Sequence, residues 1–256
     1  MPQTARALSA QGLYGAAGLP LLTRVPTLRA PLPLHAQPGQ RLRLALAEGG
    51  RARAAVLPTE ALPPPPPRGQ ESPPWPSDLP PLPDAFVLYH VPNPQQHLPL
   101  ALEVWYRWAA SGLGEATPLV LLGVESSQVT IPKGLEGTIV PYPSLPTRYL
   151  PQIYARAVAL FHPAPATPAG SPLRLALAWG VPIAGLEEPT TEALVGDAAY
   201  LAPATDPRAL GAALVTLVVE PAVAETLAQR GAARAAAWTD AKFLQAVTQA
   251  LSNADH

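Results

Sequence analysis

Cysteine is absent from the 256 residues, which excludes disulfides, thiolate catalysis and cysteine-held metals while leaving the compartment open. Charge is scarce as well. Charged residues make up 14% of the chain, the only lysines are Lys133 and Lys242, and the net charge is −1 with a pI near 6.5. Neither the overall balance nor any local basic cluster interleaved with aromatics offers a footprint for nucleic acid. The five histidines, His35, His90, His97, His162 and His256, never stand four residues from another histidine or a carboxylate, so no linear zinc motif exists and the expectation is no metal and no cofactor. A P-loop, a G-x-G-x-x-G and a G-x-S-x-G elbow around Ser171 are all missing, which removes the usual signals of an NTPase, a dinucleotide enzyme or a serine hydrolase. No uninterrupted apolar run approaches about 18 residues. The opening MPQTARALSAQGLYGAAG has one early arginine and no continuous apolar segment, so the reading is no membrane span, no secretory signal and a cytoplasmic location.

What the chain does have is apolar residues, at 48%, and 36 prolines. The first suffices for a core. The second marks a boundary, because Pro58 to Pro83 holds a dozen of the prolines, including the run Pro63 to Pro67. Proline has no N–H for helix or sheet, so this stretch predicts an extended connector. The division expected is a short irregular segment over 1–57, a proline-rich linker over 58–84 and one domain over 85–256. Within the first segment Arg41 to Glu48 reads as a brief helix ended by Gly49-Gly50, followed by a strand at Ala54 to Leu57, and a short helix is expected around Thr4 to Leu13.

Beyond the linker, strand and helix signals alternate. Phe86 to Val91, Pro118 to Gly123 and Thr138 to Tyr142 read as buried strands, and His97 to Ser111 and Tyr149 to Ala157 as helices. Trp105, Tyr106 and Trp108 are read as helix-packing aromatics rather than a sugar-stacking surface. From Phe161 to Pro203 the signals are densest. Val158 to His162 ends a strand, Pro172 suits the first position of a helix stopped by Gly180, Val181 to Gly185 forms the next strand, and a helix from Thr190 or Thr191 to Val195 ends at Gly196. The last part predicts helices from Pro207 to Val219, from Pro221 to about Ala237 and from Asp240 to Leu251, the first capped by Asp206 and the last by Thr239. The expected fold is α/β, a Rossmann-like parallel sheet with helices on both faces, preceded by the proline-rich segment. In such a sheet Gly170 and Ser171, between strand and helix, stand where N–H groups and the helix dipole favour an anion. Glu187 and Glu188, past the end of a strand, are also placed to reach a ligand.

The series Pro163, Gly170, Pro172, Ala176, Ala178, Gly180, Pro182, Glu192, Gly196, Asp197, Ala198 and Ala199 resembles the donor-binding C-terminal half of the group 1 glycosyltransferases, the glycogen-synthase-like retaining enzymes of the GT-B fold. Leu150 to Ala157 resembles the same family, and the likeness runs from Phe86 to about Leu251. The resemblance implies a site for a nucleotide-sugar. It also implies residues that this chain lacks. Two glutamates of the family, which hold the donor sugar and ribose, fall on Thr167 and Leu175. The arginine and lysine that neutralise the diphosphate fall on Val91 and Gln96, beside His90 and His97.

The resemblance therefore implies a substrate-binding set of His90, Val91, Gln96, Thr167, Gly170, Ser171, Leu175 and Glu192 with no catalytic residue among them. The expected protein is a degenerate, glycosyltransferase-like pseudoenzyme that binds a nucleotide-sugar weakly and is inactive alone. Two alternatives stand beside it: an active transferase with a divergent donor site, and a scaffold or regulatory partner of an active glycosyltransferase. About 57 residues before the linker are too few for a second Rossmann half, which takes roughly 100 to 200.

Overall fold

The computed structural model describes residues 13–16, 27–30, 42–48, 51–57, 73–91, 94–166, 172–239, 241–242 and 245. Two compact units are present, Met1–Pro64 with Thr167–Ala169 and Ala237–His256, and Pro65–Ala166 with Gly170–Ala236.

In the first unit, strands β1 (Leu13–Ala16), β2 (Thr27–Ala30), β3 (Leu42–Glu48) and β4 (Arg51–Leu57) form a sheet in that order. The β1–β2 pair is parallel and the other two are antiparallel. The sequence predicts an irregular segment here and a helix over Arg41 to Glu48, and both expectations are corrected. Leucine, alanine, arginine and glutamate are good helix formers, but in LRLALAE the leucines fall on every second residue, a strand period. Gly49-Gly50 then separates two strands paired with Glu48 opposite Arg51, the two-residue spacing of a hairpin rather than the end of a helix. The strand expected at Ala54 to Leu57 is the second half of β4. The helix expected at Thr4 to Leu13 lies outside the described residues except for Leu13, which opens β1.

The second unit is the α/β domain the sequence predicts. Its strands are β5 (Phe86–His90), β6 (Leu119–Leu122), β7 (Ile139–Tyr142), β8 (Ala157–His162), β9 (Ile183–Leu186) and β10 (Tyr200–Ala202), in the order β10-β9-β8-β5-β6-β7. Every pair is parallel. The helices are α1 (Pro94–Val104), α2 (Leu150–Arg156), α3 (Pro172–Trp179), α4 (Pro189–Val195), α5 (Pro207–Val219) and α6 (Pro221–Ala235). The last five carry proline in their first two positions, where a missing N–H costs nothing. As expected, Asp206 caps α5, its carboxylate accepting from the Ala209 N–H at 2.9 Å. In the C-terminal part of the first unit, the Thr239 hydroxyl accepts from the Lys242 N–H at 3.2 Å, and of the helix expected from Asp240, residues 241, 242 and 245 are described as helical.

Helix α1 passes through a π turn, Trp105–Ala109, into a last α turn, Ala110–Leu113. With α5 it covers one face of the sheet, where Leu98, Val104, Trp105, Leu210 and Leu214 meet Val87, Tyr89, Leu121 and Phe161. The three aromatics of this stretch serve packing, with one exception. Trp105 is fully buried and donates to the Thr138 hydroxyl at 3.2 Å, Tyr106 donates to the Thr130 carbonyl at 2.9 Å, and Trp108 is 41% exposed beneath Arg208. A Cβ at Gly211 of α5 would collide with the Cβ of Trp108, so only glycine lets the two helices approach there.

Residues 73–83 of the proline-rich stretch contain no helix or strand and are fastened to the β7 edge of this unit. Trp75 meets the rings of Tyr142 and Tyr149 edge-on, with centroids 5.3 and 6.1 Å apart, and its Nε1 donates to the Pro80 carbonyl at 2.8 Å. The Tyr142 hydroxyl donates to the Pro81 carbonyl at 2.9 Å, Arg156 to the Leu82 carbonyl at 3.0 Å and Gln152 to the Pro73 carbonyl at 3.3 Å. A proline run has few N–H groups of its own, so its carbonyls depend on side-chain donors.

Candidate functional site

The strand order reverses between β5 and β8. Chain connections leave these two neighbours toward opposite sides of the sheet, and the crevice opened beyond their carboxyl ends is where open α/β sheets take ligands. The residues that end them are His90 and His162. The β5–β8 register pairs Leu88 with Leu160, two residues before each histidine. His162 in turn faces Gly185 of β9, and His90 faces Leu122 of β6. At the switch point each of the two neighbouring strands ends in a histidine, with a glycine in place of a side chain on the flank of His162.

The two rings have different surroundings. Tyr154 of α2, fully buried, lies 3.0 Å by its hydroxyl from His90 Nδ1, with the two rings edge to face, and is itself packed edge-on against Trp179 at 5.1 Å. Burial raises the Tyr154 hydroxyl far above its ordinary pKa. It stays protonated, and the direction of the hydrogen bond it shares with Nδ1 follows the His90 tautomer. His162 is 1% exposed, and neither ring nitrogen has a hydrogen-bond partner. Burial lowers the pKa of His162 to about 3, with further lowering from the charges His90 and His97 would carry; only the Pro165 backbone acts the other way. Burial also lowers His90 to about 4 and moves His97, in the first turns of α1, downward. Although part of its surface reaches solvent, the His90 ring lies deep among protein atoms. At neutral pH the switch point therefore holds neutral imidazoles.

The other residues singled out by the sequence are placed variously. Val91 directly follows β5, but its side chain is 7% exposed and belongs to the apolar core on the α1 face, while its N–H donates to the Leu122 carbonyl at 2.8 Å. Gln96 falls in the first turn of α1 with its side chain outside the described residues, and Thr167, Gly170 and Ser171 lie outside them altogether. Leu175 is half-buried on α3, and Glu192 is exposed on α4, its carbonyl accepting from the Gly196 N–H at 2.8 Å. Glu187 is exposed and Glu188 half-buried. Thr191 is buried and accepts from the Ala166 N–H at 3.2 Å, tying the end of the post-β8 loop to α4.

Two residues escaped the sequence reading. His162 was visible only as one of five scattered histidines, because spacing along one element cannot reveal a pair formed across two strands. Arg174, 6% exposed on α3 with its pKa lowered by burial to about 10, is the one buried cation among the described residues. No group of three metal-ligating side chains able to hold an ion occurs among the described residues. Nor is any single helix among them long and apolar enough to cross a membrane.

No family model matches the sequence, and no curated protein matches it. Solved structures do. The sucrose-phosphate synthase of Thermosynechococcus elongatus is 21% identical over 66% of this chain and 45% of its own, with a TM-score of 0.52. Anabaena HepE, solved in complex with UDP and glucose, is 18% identical over 66% of this chain and 48% of its own, also with a TM-score of 0.52. The α,α-trehalose 6-phosphate synthase of Burkholderia multivorans is 12% identical over 67% and 43%, with a TM-score of 0.51. These proteins are GT-B glycosyltransferases. What this chain shares with them is the fold. It spans about half the length of each.

Proposed function

We propose that this chain is a degenerate glycosyltransferase-like protein of the group 1 type, keeping the Rossmann-like half and its switch-point crevice but transferring no sugar on its own. Its ligand is a nucleotide-sugar, held weakly at neutral pH by His90, Gln96, Thr167, Gly170, Ser171, Leu175 and Glu192, with Val91, the remaining position of the set, turned into the core. The division into 1–57, a proline-rich linker 58–84 and a domain 85–256, and a cytoplasmic setting beside a partner glycosyltransferase, belong to the same reading.

The observation that carries it is Val91. In a transfer from a nucleoside diphosphate, negative charge grows on the phosphates as the bond breaks, and a preorganised cation there lowers the barrier. The position that follows β5 is instead an apolar side chain packed into the core, and the neighbouring imidazoles are uncharged at pH 7. Leu175 likewise offers no carboxylate to the sugar. A second reading, an active enzyme with a divergent site, is favoured by Arg174, a buried cation on the helix that follows β8.

The test is a panel of UDP- and GDP-sugars offered to the purified full chain at pH 7.5, with calorimetry for binding and product analysis for transfer. Weak or absent binding and no transfer are expected. Turnover well above donor hydrolysis in buffer would replace this reading with the second.

A further inference from the structure

Tyr142 touches both arms of one turn. Its ring meets Trp75 edge-on at 5.3 Å while its hydroxyl donates to the Pro81 carbonyl at 2.9 Å. Between these points the chain folds back, the Leu79 N–H donating to the Pro76 carbonyl at 3.3 Å and Trp75 Nε1 to the Pro80 carbonyl at 2.8 Å. The other contacts come from the same short stretch as Tyr142: the Tyr149 ring against Trp75, Gln152 donating to the Pro73 carbonyl and Arg156 to the Leu82 carbonyl. Residues 142–156 thus supply two aromatic rings and three side-chain donors to residues 73–83, of which six in eleven are proline. Aromatic rings and side-chain donors aimed at the carbonyls of an N–H-poor segment are the means by which proline-rich peptides are recognised. Covering a sheet edge needs no such set, since strand pairing or apolar contact suffices, and among the described residues β7 pairs with β6 alone. The groove also has supports of its own. The Tyr149 N–H donates to the Pro146 carbonyl at 3.0 Å, and the Arg148 guanidinium stands 5.3 Å from the centre of the Tyr149 ring.

We infer that Tyr142, Tyr149, Gln152 and Arg156 form a recognition groove for a proline-rich segment anchored by tryptophan, filled in cis by residues 73–83, and that two copies of this chain pair by exchanging these segments. The ligand that fits the groove is residues 73–83 itself, so its occupant from outside is the same segment of a second copy. Pro83, Asp84 and Ala85 join the segment to β5 at Phe86, and Asp84 is exposed. Turned over at that joint, the segment of one copy makes in the other the contacts it makes in its own chain, so exchange gives up only the advantage of the tether. A short tether holds its ligand at an effective concentration on the order of millimolar. The closed form therefore prevails in dilute solution, and pairing grows as copies are concentrated or the segment is loosened.

The chain has no cysteine, so introduced thiols report the exchange without competition. The Pro73 carbonyl lies 3.3 Å from the Gln152 side chain. Full-length Pro73→Cys mixed with full-length Gln152→Cys under mild oxidation should give a disulfide-linked heterodimer in excess of either homodimer, its yield rising with concentration. One chain carrying both substitutions should close on itself when dilute. In a second arm a labelled synthetic peptide of residues 73–83, PPWPSDLPPLP, is titrated by anisotropy. It should bind full-length Trp75→Ala, whose own anchor is gone, and bind the parent chain about a hundredfold or more weakly, because the tethered segment fills the groove. Adding Tyr142→Phe should weaken binding to Trp75→Ala several-fold, and the peptide with alanine in place of tryptophan should bind neither chain. A peptide that fails to bind Trp75→Ala, or binds it no better than the parent, overturns the groove. Peptide binding with no heterodimer up to about 1 mM, the scale of the tether, assigns the groove to a proline-rich segment of another protein and overturns pairing between copies. The disulfide arm keeps Trp75, so it decides the exchange even where Trp75→Ala does not fold.

Discussion

At the β7 edge, the carbonyls of Pro73, Pro80, Pro81 and Leu82 are each met by a side-chain donor, whereas at the switch point His162 is buried with neither nitrogen met. Both places set polar groups against the same sheet, part-buried at the strap and fully buried at His162. The difference separates groups arranged to hold a segment down from one whose bonding capacity is left open at a cost to the fold. A satisfied buried polar group adds roughly 1 kcal/mol to stability, and an unsatisfied one subtracts about 1–3 kcal/mol.

Acid should separate the two places most widely. His162 and His90 have folded-state pKa values near 3 and 4, below the unfolded value of 6.5. The unfolded chain then binds more protons over that interval, so stability is complete above about pH 6.5 and falls as the pH drops toward 4. The expected loss is up to about 1.4 kcal/mol per pH unit for each histidine, the two titrating as a pair. Urea midpoints measured from pH 7.5 to 4.5 would follow it, and His162→Leu should roughly halve the slope. A flat profile would mean that the rings are not buried as neutral groups.

Val91→Arg should cost about 3–5 kcal/mol, since it places an unpaired charge in the core beside the switch point rather than in the crevice. Thermal denaturation would report it. A stable variant with tighter UDP binding would show instead that position 91 opens toward the ligand.

Trp75→Ala should cost about 2–3 kcal/mol, less than a core tryptophan because Trp75 is half-buried. It should also make residues 73–83 the first site of proteolysis. If the chain resists protease as before, the aromatic contacts with Tyr142 and Tyr149 do not fasten the strap.

The smallest effect is expected from Tyr142→Phe. It keeps the ring against Trp75 and removes one hydrogen bond to Pro81, about 1 kcal/mol. Burial raises this hydroxyl's pKa to about 12, so the loss should be the same at pH 6 and pH 9 by urea denaturation.

The sheet of the second unit was legible because its strands are buried on both faces and read as short apolar runs such as FVLYH and LVLL, bounded by glycine or proline. Its helices were legible because proline marks their starts at 172, 207 and 221. The four-stranded sheet was not, since LRLALAE satisfies helix propensity by composition and strand period by order, and the order decided. The strap was half legible: a proline run announces extended chain but not what its carbonyls bond to, which depends on Tyr142 and Arg156 some 60 to 75 residues away. The histidine pair was not legible at all, because it exists only once β5 lies next to β8 in a particular register. By contrast, the positions matched to known cations and glutamates were read individually from the sequence, and for Val91 the structure adds which way the side chain faces.

The π turn in α1 has one more consequence. Trp105, before its extra residue has been absorbed, and Ala109, Ala110 and Leu113 after it are all buried. In a regular α-helix each residue advances the face by about 100°, so deleting one codon within Trp105–Ala109 would rotate the two ends of the helix against each other and expel one set from the core. Related sequences should therefore change letters in this stretch far more readily than they change its length.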